Sequence, residues 1–467
     1  MNWNFTELLN LFSGHNKAKL LLDGTWGIER ETPRVTPTGD LALTEHPKAL
    51  EDKLEHPNIT TDFSESQIEI ITDPYPDIEE TYRNLKAIHL EVEKVLENEY
   101  LWPMSMPPRL PKEEDIPIAK FNASKEGRKR TIYRNGLALR YGKKMQMICG
   151  LHYNFAFGEA IMDYLFQHYG QNKSKREFTD EIYFAVARNF LKYRWLLIYL
   201  FGASPVFHSS YKPALDMKLE AATSLRVSPF GYGNTFQKGN LVTYNTLSQY
   251  LEDVRELLTT KCEEFAKLGI YRGNEQVQLN DHILQDEGEL YSFVRFKQSL
   301  QKDETQITAL EKRGVKYIEV RILDINPFDP AGISIEQLYF MQIFMLFCLF
   351  EDRSPVPREI LEEADRNHDA VALYGRQKHL MLEDYENQKI TLQDWAEAIF
   401  EKLKMIAVYM DQPSKDKKYE LVIHEEYEII RDISKLPSSK ICEGIKKCGG
   451  DYLQFGMERA VLNKINL

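Results

Sequence analysis

The chain has 467 residues, of which 43% are hydrophobic and 12% aromatic, and its 59 Lys and Arg against 71 Asp and Glu give a formal charge of −12. This is enough apolar side chain to offset the entropy of ordering the chain, which excludes a disordered protein. The acidic balance argues against a surface for nucleic acid or anionic lipid, both of which call for clustered Lys and Arg.

In chain order, residues 1–22 predict a helix, which Gly24 breaks before an extended run over 26–35. Residues 41–54 read as irregular. Residues 59–72 read as a strand closed by Pro74 and Pro76. The spacing of Leu85, Ile88, Val92, Val95 and Leu96 predicts an amphipathic helix over 78–100, and five prolines between Pro103 and Pro117 then make a loop. A helix follows over 131–141, a strand over 145–157 and a long buried helix over 179–200. Residues 202–239 turn polar and rich in Gly, Ser and Pro, which suits a functional loop. Helix over 247–268, strands over 291–296 and 315–323, and a buried helix over 335–350 come next, and 357–467 reads as charged amphipathic helix. Strands and helices do not alternate regularly, so the expected class is α+β with a mostly antiparallel sheet. With no repeat or long linker, one catalytic unit spanning 1–467 is expected.

The most apolar run, residues 338–350, is shorter than the roughly 18–20 residues a bilayer span needs. The first ten residues carry no positively charged start and no small-residue cleavage site, so no secretory signal is expected. Five cysteines, Cys149, Cys262, Cys348, Cys442 and Cys448, are few and odd in number, which fits a reducing cytoplasm. A monomer without nucleic-acid or membrane partners is expected.

Four strands share an unusual polar face. The period of two places Glu29 and Glu31 on one face of GIERE, with Ile28 on the other. Glu69 opposes Ile68 and Ile70. His152 and Asn154 oppose Leu151, Tyr153 and Phe155, and Glu319 and Arg321 oppose Ile318, Val320 and Ile322. A solvated sheet face is the plain alternative. Such faces usually mix Lys, Thr, Ser and Gln, however, whereas these positions are Glu, Glu, Glu, His and Glu. Carboxylates gathered this way repel unless cations sit among them. Oxygen ligands with one imidazole suit Mg²⁺ or Mn²⁺, and such ions on a sheet would clamp nucleotide phosphates, with Arg321 as a fixed cation. No Walker A loop and no G-x-G-x-x-G fingerprint is present, so metals and arginines would have to hold a nucleotide.

These segments, with LWPMSMPP at 101–108, YRNGLALRYGKKMQ at 133–146, SLRVSPFGYGN at 224–234, ELYSFVRFK at 289–297 and YIEVRILDINPFDP at 317–330, resemble the bacterial glutamate-cysteine ligase family, also called γ-glutamylcysteine synthetase. The matching stretches run in order over about residues 20–376, leaving 377–467 as an outer helical part. The resemblance implies a fold like the catalytic domain of glutamine synthetase, a curved, mostly antiparallel sheet forming a funnel with helices outside. It implies Glu29, Glu31, Asp62, Glu69, His152 and Glu319 as ligands of two or three Mg²⁺ ions, with Mn²⁺ able to substitute; Asp62 rests on the resemblance alone. It further implies Arg321 at the transferred phosphoryl group, with Arg295 and Lys297 at the nucleotide phosphates. Arg134 resembles an active-site arginine on the glutamate side.

On the substrate side, Arg226 resembles a carboxylate clamp for the incoming amino acid, with Tyr232 and Tyr291 closing over it. Phe63, Tyr133, Leu137 and Gln146 resemble a small pocket for its side chain. The implied reaction joins L-glutamate to L-cysteine with ATP through γ-glutamyl phosphate, the first step of glutathione synthesis. A relative that uses another small amine, and a non-catalytic nucleotide-binding relative, are the two rivals.

Overall fold

The computed structural model describes residues 4–212, 219–231, 242–386, 388–414 and 416–467. Seven strands make the central sheet: β1 (Gly24–Val35), β2 (Ile59–Thr61), β3 (Gln67–Ile71), β4 (Tyr100–Leu101), β5 (Leu151–Phe157), β6 (Val294–Lys297) and β7 (Tyr317–Leu323). Their order is β2-β3-β1-β5-β7-β6, with β4 added to the far end of β1, and every pairing is antiparallel. The expected α+β class with a mostly antiparallel sheet is what the chain forms.

One face of this sheet is the core. Ile28, Ile68, Ile70, Leu151, Tyr153, Phe155, Ile318 and Val320 are all fully buried there. Helix α1 (Ile78–Val95), started by the Asp77 side chain accepting from Glu80 N–H, lies against β1 and β3. Helix α2 (Lys125–Tyr141) begins at a Ser124 cap and ends at Gly142, whose φ of 80° favours glycine. Helix α3 (Lys175–Phe201) opens with a Ser174 and Glu177 capping box and packs on β7. Helix α4 (Ile335–Phe350) is buried at every position from Gln337 to Phe350, which is why its sequence is apolar all round. Helix α5 (Arg358–Tyr374) packs on α3, while α6 (Leu392–Asp411) and α7 (Lys418–Arg431) cover α4 from outside. The last helix, α8 (Tyr452–Asn466), reaches back to β4. No helix among the described residues is long and apolar enough to cross a membrane.

The structure corrects several element boundaries. Residues 59–72 form a hairpin, because Ser64 accepts from Gln67 N–H at 2.9 Å while the Gln67 side chain accepts from Ser64 N–H at 2.8 Å, turning the chain at the polar FSES run. Residues 145–147 form a helical turn ahead of β5, so Gln146 and Cys149 precede the strand. Likewise β6 starts at Val294, leaving Tyr291 in the approach to it. The helix expected over 247–268 breaks at Thr260 into Leu247–Thr259 and Glu263–Leu268, and the described part of 1–22 is three short turns of helix. Helix 131–141 starts earlier, at Lys125, where the capping serine sits. A helix at Glu159–Tyr169 and another at Gln306–Arg313 were not expected.

Candidate active site

Register assembles the polar face. Directly opposed residues of an antiparallel pair share a face, and the opposed pairs are Glu29 with His152, Glu31 with Glu69, Asn154 with Glu319, and Arg295 with Glu319. Five separate strands therefore deliver their polar residues to one surface. The pairing of β5 with β7 slips by one residue between Leu151 with Leu323 and Tyr153 with Val320, a bulge opposite His152 that re-aims the chain at Arg321.

At the centre, one ligand atom each from Glu29, His152 and Glu319 lies within 4.8 Å of the others. His152 Nδ1 is 2.9 Å from Glu29 Oε2 and 3.3 Å from Glu319 Oε1, and Asn154 Nδ2 donates to Glu29 Oε1 at 2.9 Å. In a neutral imidazole whose Nδ1–H donates to Glu29, the Nε2 lone pair faces Glu31 Oε1 at 3.5 Å, two acceptors that only a proton or a cation can join. The other oxygen of Glu31 accepts from Gly150 N–H at 3.1 Å.

The carboxylates divide by their surroundings. Glu319 is buried, which alone would raise its pKa, yet Lys297 at 3.1 Å, Arg321 at 2.5 Å, His152 and Arg295 hold it well below the usual carboxylate range. Glu29 is likewise lowered: burial raises it most, and the hydrogen bond and charge of His152 together with the Lys297 charge outweigh that rise and the repulsion of Glu319. Among the described residues, the other side lacks such cations. Burial and then the charges of Asp62, Glu29 and Glu31 push Glu69 well above the usual range, and burial with Glu31 pushes Asp62 up to about 6. The cation nearest them, Arg134, donates to the carbonyls of Thr61 at 3.1 Å, Asp62 and Arg130 and lies 4.6 Å over the Phe121 ring, so it braces the β2–β3 turn. A set of oxygen donors with one imidazole and too few fixed cations fits a divalent ion, so the residues present suit Mg²⁺.

Arg226 is 4% exposed, and its guanidinium fits against Gly150, where an added Cβ would stand 2.0 Å from Nη2. Nη2 donates to the Arg321 carbonyl at 2.9 Å, while the buried Nη1 has no hydrogen-bond partner among the described residues and lies 4.0 Å from Asp324 Oδ1. Asp324 is in turn held by Ser204 Oγ at 2.7 Å and Ala203 N–H at 2.8 Å. An unsatisfied buried guanidinium N–H is suited to binding a carboxylate. Phe63, Leu137 and Tyr133 share an apolar cluster, and Gln146 Nε2 donates to the Tyr291 hydroxyl at 3.0 Å, so four predicted pocket residues gather with Tyr291 in two contacting sets. Tyr232 lies outside the described residues. Arg295 spends Nη2 on the carbonyls of Gly288 and Leu290, and with Lys297 it lines a cavity of about 510 Å³ beside β6 that also includes Tyr250, Gln285 and Phe296.

The residues 9–371 match the family model described as glutamate-cysteine ligase. The chain is 48% identical to a glutamate–cysteine ligase of Clostridium acetobutylicum over 98% of this chain and 100% of that protein, and 40% identical to one of Pseudomonas aeruginosa over 97% and 87%. The chain belongs to the glutamate-cysteine ligase family. A crystal structure of the Francisella tularensis glutamate–cysteine ligase in complex with AMP superposes with a TM-score of 0.88 at 34% identity, covering 95% of this chain and 89% of that one. A bifunctional glutathione synthetase of Pasteurella multocida superposes at 0.80 and 27% identity, covering 98% of this chain and 54% of that one.

Sequence reasoning missed four residues of this candidate site. Gly150 is one: a glycine immediately before a strand signals a close approach, here by Arg226. Asp324 follows β7 directly and Gln67 sits at the start of β3, where its amide reaches the Gln146 carbonyl at 2.9 Å and Cys149 Sγ at 3.2 Å. Asn154 was placed on the polar face without a role, and it holds Glu29.

Proposed function

We propose that this site joins the γ-carboxyl of L-glutamate to the amine of L-cysteine at the expense of ATP, passing through γ-glutamyl phosphate. The observation that carries the reading is the polar face itself, on which Glu29, Glu31, Glu69, His152, Glu319 and Arg321 meet from four strands in a chain that belongs to this ligase family.

Glu29, His152 and Glu319 on one side, and Glu31, Asp62 and Glu69 on the other, would hold Mg²⁺. When bound, Mg²⁺ supplies Lewis-acid polarisation of phosphoryl oxygens and charge neutralisation. The nucleotide's base and ribose are assigned to the cavity beside β6, with Arg295 and Lys297 facing its phosphates; the AMP in the Francisella relative supports use of a nucleotide here. The glutamate side-chain carboxylate attacks the γ-phosphorus in line and ADP leaves, while the Arg321 guanidinium, held beside Glu319, balances charge on the transferring group. The cysteine amine then attacks the acyl carbon and phosphate departs. Arg226 Nη1 grips the carboxylate of the incoming amino acid, and Phe63, Tyr133, Leu137, Gln146 and Tyr291 surround its side chain. Positioning supplies most of the rate, because the carboxylate is already a competent nucleophile. The reading includes one catalytic unit, with α6 to α8 as outer support, working as a monomer in the reducing cytoplasm, which five free thiols suit.

The test is ADP release from purified protein with ATP, Mg²⁺ and L-glutamate, without acceptor and with L-cysteine, 2-aminobutyrate, L-serine and other small amino acids. Release that requires both glutamate and cysteine, and is fastest with cysteine, is expected. A small apolar pocket separates near-isosteres by only about 1–3 kcal/mol, so release that is faster with another amine would keep the chemistry and change the acceptor. No release with any acceptor would refute the reading.

A further inference from the structure

Behind the sheet, a buried histidine joins the two segments that present Arg226 and Arg321. Arg194, two turns from the C-terminal end of α3 and 1% exposed, donates from Nε to His368 Nδ1 at 2.8 Å, from Nη1 to the Leu191 carbonyl at 2.5 Å and from Nη2 to Asp365. A guanidinium can only donate, so Nδ1 of His368 must accept and the ring proton must sit on Nε2. That Nε2–H donates to the Val227 carbonyl at 2.7 Å. Burial and the Arg194 charge both hold His368 neutral, its pKa well below the ordinary histidine value. The same imidazole packs on Phe293 at 4.3 Å, with the Arg194 guanidinium over that ring at 4.7 Å. Phe293 carries the carbonyl that accepts the Arg321 N–H at 3.0 Å, and Val227 is the next residue after Arg226.

His368 thus touches the neighbour of each cation and neither cation itself. An apolar side chain would fill the same volume without the cost of burying a polar ring, so the two directed hydrogen bonds are what the position gains from histidine. We propose that His368 is a positioning residue: fixed in one tautomer by Arg194, it holds the Val227 carbonyl and thereby sets the Arg226 guanidinium for the carboxylate of the incoming amino acid. This rests on the reading of Arg226 as the carboxylate clamp.

The two ring nitrogens can be removed separately. His368→Asn keeps an acceptor at the depth of Nδ1 for Arg194 and loses the contact with Val227, whereas His368→Gln reaches the depth of Nε2 and keeps a donor to Val227. Steady-state ADP release should show KM for L-cysteine raised about tenfold or more in His368→Asn, with KM for ATP within about twofold, and KM for L-cysteine within about threefold of the parent in His368→Gln. Melting temperatures are measured alongside. A purely structural histidine would lower both melting temperatures and leave both KM values alone, or move both variants together, and either result overturns the proposal. Should His368→Asn fail to fold, His368→Gln against His368→Met, equal in length but without a donor, asks the same question by the same criterion. Arg226→Ala is the reference: if it leaves KM for L-cysteine unchanged, the clamp reading falls and the proposal with it, whereas if it raises that KM while His368→Asn does not, the proposal alone falls.

Discussion

Gly150→Ala tests the geometry of Arg226 without touching a charged group. The added methyl would stand 2.0 Å from Nη2, 2.3 Å from Cζ and 2.5 Å from Nε. Ordinary contact is about 3.5 Å, so the guanidinium must retreat by about 1.5 Å. The backbone at Gly150 is not in the left-handed region, and its N–H and carbonyl still bond Glu31, so strand β5 can form as before. The strain therefore falls on the far end of one flexible side chain, whose bond to the Arg321 carbonyl at 2.9 Å is the contact that breaks. A hydrogen bond to a charged group is worth about 1.5–3 kcal/mol, which is roughly a 10- to 150-fold rise in KM for the amino acid that Arg226 grips. Global stability should fall by roughly 0.5–2.5 kcal/mol, because the reduced freedom of the unfolded chain, worth about 0.4–1 kcal/mol, offsets only part of the lost bond. The assay is ADP release as a function of L-cysteine at saturating ATP and glutamate, with a thermal melt of the same preparation. An unchanged KM at unchanged melting temperature, while Arg226→Ala raises KM, would show that the guanidinium is not seated by the gap at Gly150.

Three further outcomes are expected. Glu319→Gln should lower kcat by at least about 100-fold while the protein stays folded, since Lys297, Arg321 and His152 all turn on that one carboxylate; near-normal turnover with an intact circular dichroism spectrum would remove Glu319 from the site. Mg²⁺ should stabilise the folded state through relief of the Glu31, Asp62 and Glu69 repulsion, by about 2.7 kcal/mol at a hundredfold excess over Kd, read as a higher melting temperature, and Glu69→Gln should blunt that gain; equal gains in both proteins would count against the cluster. Glu426 on α7 is a buried carboxyl with one oxygen unpartnered among the described residues, raised from an ordinary 4.5 to about 8 by burial and by Glu425. The folded state therefore holds a proton that the unfolded chain releases, so stability is full below about pH 4.5 and falls as pH rises toward 8. Glu426→Gln should remove this slope and be more stable at pH 8 by a few kcal/mol, and denaturant melts with parallel pH profiles for the two proteins would refute it.

How much of this was legible in the sequence depends on how local each signal is. Period-two alternation needs only neighbouring residues, and it correctly placed Glu29, Glu31, Glu69, His152 and Glu319 on polar faces before any pairing was known. Which strands would lie side by side was not legible. The opposition of Glu29 to His152, across more than a hundred residues, is a property of register. The β2–β3 turn was missed because two hydrogen bonds between Ser64 and Gln67, one between their backbones and one from Ser64 N–H to the Gln67 side chain, bend a segment whose composition otherwise reads as strand. Asp62 was invisible to periodicity for the same reason: it stands at the turn. Arg134 matched a motif, but its donors go to carbonyls of the turn, which no linear pattern records. Gly150 and Asp324 matter only through Arg226, and the spacing that joins them exists only in the folded chain.

The uneven placing of cations on the polar face explains how one surface can serve both halves of the proposed reaction. Around Glu319 the charge is already balanced, with Lys297, Arg321 and Arg295 converging on a carboxylate they keep ionised. That end can receive a transferring phosphoryl group, because its fixed cations need not move as charge develops, and preorganised charge is the most effective kind in a site that excludes water. Around Asp62 and Glu69 the balance fails, and both carboxyls are pushed toward protonation. A surface that spread its arginines evenly would leave no demand for a divalent ion, while one without arginines would leave the phosphoryl oxygens to metals alone. The turn that puts Asp62 beside Glu31, braced by an arginine whose donors face the backbone, keeps that end short of cations. The bulge at Arg321 keeps the other end supplied.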